Sequence, residues 1–108
     1  MITHIHTEVD LADVLVNNTK VIIDFNTTWC GPCKAIKPQF ERLSNDPKFS
    51  GIVFISIDGD KLPDVAMSYN VQAFPTFVFL KNAKVRSTIV GGNLVKLTQC
   101  IEGLAKLD

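Results

Sequence analysis

Ile2 to His6 alternates apolar and polar side chains, the period of a short half-buried strand. Thr7 then stands as a helix cap with Asp10 three positions on, and Leu11, Val14 and Leu15 recur at helical spacing until Asn17-Asn18. Lys20 to Thr27 is the strongest strand signal. Val21, Ile22, Ile23 and Phe25 make it nearly all apolar and β-branched, as in a central strand covered on both faces. A second helical pattern starts at Cys30 and runs to Asn45. At about 100° per residue, Cys33, Ile36, Phe40 and Leu43 fall on one stripe. Pro32 is harmless in that helix's first turn, whereas Pro38 is interior and should kink it.

Ile52 to Ile57 is another nearly all-apolar strand, closed by Asp58-Gly59-Asp60. Leu62 to Tyr69 has the look of a short helix with Pro63 in its first turn. Thr76 to Leu80 and Val85 to Val90 are two strands joined by a hairpin at Asn82-Ala83, and Gly91-Gly92 breaks the second. Leu94, Leu97, Ile101 and Leu104 give the last helix, Leu94 to Leu107, its apolar face. The order is therefore βαβαβαββα. It predicts an α/β fold with a central mixed sheet of about five strands flanked by four helices, its crossovers right-handed.

Composition narrows the picture. A chain of 108 residues, 46% of them apolar, is one domain (1–108) able to bury a core without disulfide staples. Eleven basic and eleven acidic residues cancel, so nothing favours nucleic acid or an anionic membrane as partner. The N-terminus lacks a basic segment followed by an apolar one, and the apolar runs fall far short of the ~20 residues of a membrane span. A cytoplasmic protein is the expectation. In that reducing setting three cysteines, an odd number, suit catalysis or metal binding better than a structural framework.

Two of the three form Trp29-Cys30-Gly31-Pro32-Cys33, between a strand and a helix. Cys30 falls at the helix cap, where unpaired N–H groups and the partial positive charge of the helix end stabilise a thiolate. Cap position also predicts that Cys30 faces outward, while Cys33 belongs to the buried stripe. One turn apart, they suit a two-step exchange in which Cys30 attacks a disulfide and Cys33 resolves the mixed disulfide. The alternative is half of a zinc site, but only Cys100, His4 and His6 remain as ligands, at no recognised spacing, so no metal is expected. Asp24 interrupts the most apolar strand. It shares a face with Ile22 and Asn26, and if that face lies under the second helix, Asp24 sits beneath Cys33 and can trade a proton with it. Trp29, the sole tryptophan, flanks the thiols and can shield them or contact a partner. His4 and His6 read as solvated, Cys100 as a half-buried inert thiol, and Lys34 and Lys37 as added positive potential near Cys30. Nothing in the sequence alone makes the bond before Pro75 cis.

Taken together, Asp24-Phe25, Trp29-Cys30-Gly31-Pro32-Cys33-Lys34, Ile36, Pro38, Asp60, Phe74-Pro75-Thr76 and Gly91 resemble the thioredoxin family over nearly the whole chain. The resemblance implies the thioredoxin fold and a protein-disulfide reductase serving cell redox homeostasis, with Cys30 as nucleophile, Cys33 as resolving thiol and Asp24 as buried acid/base. It implies a cis bond before Pro75 with backbone there pairing to an extended client peptide, a flat apolar docking surface completed by Gly91 with Trp29 and Phe74, and a substrate-binding set of Trp29, Gly31, Pro32, Phe74, Pro75, Thr76 and Gly91. Asp60 would bond the Trp29 indole. No cofactor would be bound; a thioredoxin reductase would recycle the pair with NADPH. The partners would be that reductase and disulfide-containing client proteins, the chain itself a monomer. Asn26, Ser56 and Asn82-Ala83 depart from the family pattern, the last replacing a more usual Asn-Gly. Two other functions fit the same residues. One is a binding module with idle thiols; the other is a disulfide-forming oxidase or isomerase. Intact Cys30, Cys33 and Asp24 disfavour the first, and Gly31-Pro32 between the cysteines resembles the reducing members.

Overall fold

A computed structural model describes Met1–Asp108. Its strands are β1 (Ile2–Ile5), β2 (Lys20–Asn26), β3 (Ile52–Asp58), β4 (Thr76–Lys81) and β5 (Lys84–Val90), and its helices α1 (Glu8–Asn17), α2 (Gly31–Ser44), α3 (Pro63–Ser68) and α4 (Leu94–Ala105). The order is the one the periodicity predicts, with boundaries within two residues of those expected. One short 3-10 turn, Pro47–Phe49, is additional to that pattern; the Asp46 side chain caps it. α2 continues as a single helix through Pro38.

The sheet runs β1-β3-β2-β4-β5. β1, β3 and β2 are parallel, while β4 runs antiparallel to β2 and β5 antiparallel to β4. β2 is thus a central strand with both ladders filled, which is why its sequence is apolar on both faces. On one face Ile22, Phe54, Phe77 and Phe79 pack against Ile36, Phe40 and Leu43 of α2 and Leu97, Ile101 and Leu104 of α4. The Phe40 ring is centred 5.4 Å from Phe54 and 5.4 Å from Phe77. On the other face Val21, Ile23, Phe25, Ile55 and Ile57 meet Leu11 of α1 and Val65 of α3. Each such side chain, fully buried, contributes roughly 1.5–3 kcal/mol. Lys20, at the start of β2, reaches across to donate to the carbonyls of Ala105 (3.0 Å) and Leu107 (2.5 Å) at the end of α4.

The β4–β5 hairpin turns on two residues. Lys81 pairs with Lys84, and both residues between them lie in the left-handed region, Asn82 at φ 52° and Ala83 at φ 63°. That is the requirement of a type I′ turn, met here with alanine where glycine is the easier choice.

Candidate active site

β2 ends at Asn26, and a short bend delivers Cys30 to the cap of α2. Its backbone is extended (φ −81°, ψ 112°), and its Sγ accepts the Cys33 backbone N–H at 3.2 Å. The Cys30 and Cys33 sulfurs form a disulfide, with Cα atoms 5.3 Å apart. The expected asymmetry of exposure is absent: Cys30 is 4% exposed and Cys33 6%. Helical phase places the Cys30 Cα at the rim, but capping the helix and bonding Cys33 turn its sulfur inward. Gly31, Pro32 and Trp29, all exposed, form the outer surface instead.

Asp24 is 5% exposed and lies on the α2 face of the sheet. It stands in register with Ser56 on one side and Phe77 on the other. Burial raises its pKa from 3.8 to about 7, opposed by the neighbouring Asn26 side chain and by the Lys37 ammonium. Its Oδ1 has no hydrogen-bond partner, and neither does the buried Thr27 Oγ1. Asp24, Thr27 and Cys33 together line one cleft of about 460 Å³, with Lys34 and Lys37 from α2 and Ser56 from β3. The Asn26 amide donates to Ser56 Oγ at 2.7 Å and to the Asp24 carbonyl at 3.1 Å. The two polar departures Asn26 and Ser56 thus satisfy each other beside the acid. No group of three or more His, Cys, Asp or Glu gathers as a metal would need.

Trp29, the residue before Cys30, forms an aromatic pair with Phe74. Trp29 is 67% exposed, and its indole N–H donates to Asp60 Oδ2 at 2.8 Å. Phe74 meets Trp29 edge-on, with centroids 6.2 Å apart and planes at 86°. The Phe74–Pro75 bond is cis, and the Pro75 carbonyl accepts from the Gly91 N–H at 2.8 Å. Gly91 sits at φ +98°, which only glycine adopts without strain. Pro75 itself is buried. The Thr76 side chain does not reach the surface: it is 2% exposed and its hydroxyl donates to the Ala73 carbonyl at 2.7 Å. Its backbone is committed to the sheet between Phe25 and Val90. Two further glycines, legible in the sequence only as strand ends, shape the site. A Cβ at residue 92 would lie 3.4 Å from the Pro32 carbonyl, so Gly92 lets the β5–α4 connection close on the disulfide loop. Gly59 does the same beneath Phe74, a contact between segments that sequence spacing does not relate.

This geometry exchanges one disulfide for another, and the class it defines is the protein thiol–disulfide oxidoreductases. Comparison with known proteins narrows the class. The thioredoxin family model matches residues 3–103. Over 84 residues the chain is 48% identical to Gallus gallus thioredoxin, covering 78% of each. It is 37% identical to Thioredoxin-1 of Schizosaccharomyces pombe over 102 residues, covering 94% of this chain and 97% of that one. The crystal structure of Malassezia sympodialis thioredoxin superposes with a TM-score of 0.92 at 35% identity, covering 97% of this chain and 91% of that one. The chain belongs to the thioredoxin family.

Proposed function

We propose that the protein works in the reducing direction, as a cytoplasmic reductant of protein disulfides that carries electrons from a thioredoxin reductase, and ultimately NADPH, to clients. The observation that supports this best is the junction of two features. Cys30 Sγ caps α2 by accepting the Cys33 N–H, and Asp24 lines the same buried cleft as Cys33. In the reduced protein the helix end stabilises Cys30 as thiolate. That thiolate attacks a client disulfide, forming a Cys30–client bond and releasing one client thiolate. Asp24 takes the Cys33 proton, and the Cys33 sulfur attacks Cys30, releasing the second client thiolate and leaving the Cys30–Cys33 disulfide seen here. Trp29, Gly31, Pro32, Phe74, Pro75 and Gly91 form the docking surface. Here Pro75 contributes backbone shape rather than exposed side chain. Asp60 braces Trp29, Pro38 shapes α2, and the chain acts as a monomer.

The test is an insulin-reduction assay with wild type and Cys30→Ser, together with the redox potential of the pair. Wild type should reduce insulin, the variant should fall to background, and reductase-coupled NADPH oxidation should follow the wild-type rate. The reducing assignment expects a potential near the ~−270 mV already established for thioredoxin; a value near the ~−120 to −180 mV of disulfide-forming proteins would overturn it.

A further inference from the structure

Asp24 is walled on one side and open on the other. In register with it on β4 is Phe77, fully buried among aromatic and aliphatic side chains. In the other direction the row continues through Ser56 on β3 to His4 on the edge strand β1, since Asp24 and His4 both pair with Ser56. Residues in register point to one face of a sheet, so the three side chains stand side by side at the ~4.8 Å strand spacing. All three line the cleft that holds Cys33, and His4 is exposed at its mouth. Two buried polar atoms on its wall, Asp24 Oδ1 and Thr27 Oγ1, have no protein partner and call for water. Ser56 Oγ accepts from Asn26 at 2.7 Å, which leaves its own hydrogen free to donate onward.

We propose that His4 is the outer station of a proton relay that connects Asp24 to solvent along the row Asp24–Ser56–His4. This rests on Asp24 acting as the base for Cys33. After Cys33 gives up its proton and attacks Cys30, Asp24 holds that proton. It passes through cleft water and the Ser56 hydroxyl to the His4 imidazole, and from there to bulk; Asp24 returns to carboxylate and no electrons move. The other titratable groups around the cleft do not serve. Lys34 and Lys37 of α2 and Lys61 beyond β3 carry ammonium groups, which donate hydrogen bonds and have no lone pair to accept a proton. Asp58 is engaged by the Asp60 N–H at 2.8 Å. His6 lies beyond the end of β1 and has no register partner on β3. Imidazole is the side chain suited to give and take protons near neutral pH.

The full chain carries the test. Protein-disulfide reduction is followed at neutral pH in minimal buffer, then with imidazole added, for wild type, His4→Gln, His4→Lys and His6→Gln. Both His4 variants should lose kcat about tenfold, less than removal of a direct base costs, keep KM and the redox potential, and regain wild-type rate with imidazole. His6→Gln should match wild type. The lysine variant retains a long polar side chain on the edge strand and covers the case where glutamine fails to fold. His4 variants equal to wild type, or slow without imidazole rescue, overturn the relay while leaving the reductase reading intact. A His6 variant that is slow and rescued also overturns the choice of His4. A wild type that exchanges no disulfide overturns both.

Discussion

Gly59 lies directly beneath the ring of Phe74, so closely that a Cβ at residue 59 would stand 2.5 Å from Phe74 Cε1 and Cζ. The Gly59 N–H is held by the Asn26 carbonyl at 2.8 Å, so the backbone cannot retreat and the ring must. Gly59→Ala should therefore swing Phe74 off Trp29. An aromatic pair of this kind is worth about 0.5–1.5 kcal/mol, up to about tenfold in affinity. The expected result is a raised KM for a protein disulfide, an altered Trp29 emission, and an unchanged rate with a small-molecule disulfide that needs no docking surface.

The two cysteines should behave unequally although both are buried. Cys30 is the sulfur that receives an N–H at the helix end, and Cys33 is the one that lines the cleft together with Asp24. In the reduced protein, limited iodoacetamide should label Cys30 first, as seen by peptide mass. Cys33→Ser should accumulate a stable Cys30–client mixed disulfide, and Cys30→Ser should form none. Equal labelling of both thiols would contradict the assignment.

Asp24 should cost stability at neutral pH. Its pKa rises from 3.8 to about 7 on folding, so the folded state binds a proton that the unfolded state releases between those values. Stability is unpenalised below pH 3.8, declines as pH rises toward 7, and stays reduced above it. At about 1.36 kcal/mol per unit, the penalty is on the order of 4 kcal/mol as an upper bound. Asp24→Asn should raise the urea midpoint at pH ~8, with the gain vanishing near pH ~3, while slowing resolution of the mixed disulfide. A gain independent of pH would show that titration is not its source.

How much of this is legible in the sequence depends on the range of each contact. Asp24 stands out because a carboxylate interrupts an apolar run, and strand parity with Ile22 puts it on the α2 face. The element order is equally legible, since each helix and strand carries its own period. Cys30 departs from its expected exposure because helical phase describes residues inside the helix, whereas a cap side chain folds back onto the first turn. The Pro47–Phe49 turn is too short to show any period. Gly59 and Gly92 read in the sequence only as strand ends, because what they admit, Phe74 and Pro32, comes from segments remote along the chain. Thr76 adjoins two residues of the docking patch, yet the parity that buries Val78 and Leu80 on the other face applies to it as well.

The hairpin offers a stabilising change remote from the site. Asn82 and Ala83 both adopt positive φ, at 52° and 63°, between the paired residues Lys81 and Lys84. Asparagine tolerates the left-handed region through its short polar side chain, but alanine meets the full clash of Cβ with the backbone there, about 1–2 kcal/mol. Glycine removes that clash at the cost of greater freedom in the unfolded chain, about 0.4–1 kcal/mol. The difference favours Ala83→Gly by somewhat under ~1 kcal/mol, and Ala83 is exposed, so no packing is lost. Urea unfolding should show a higher midpoint at constant slope, and client reduction should be unchanged. A lower midpoint would mean that the turn relaxes to a form that alanine accepts.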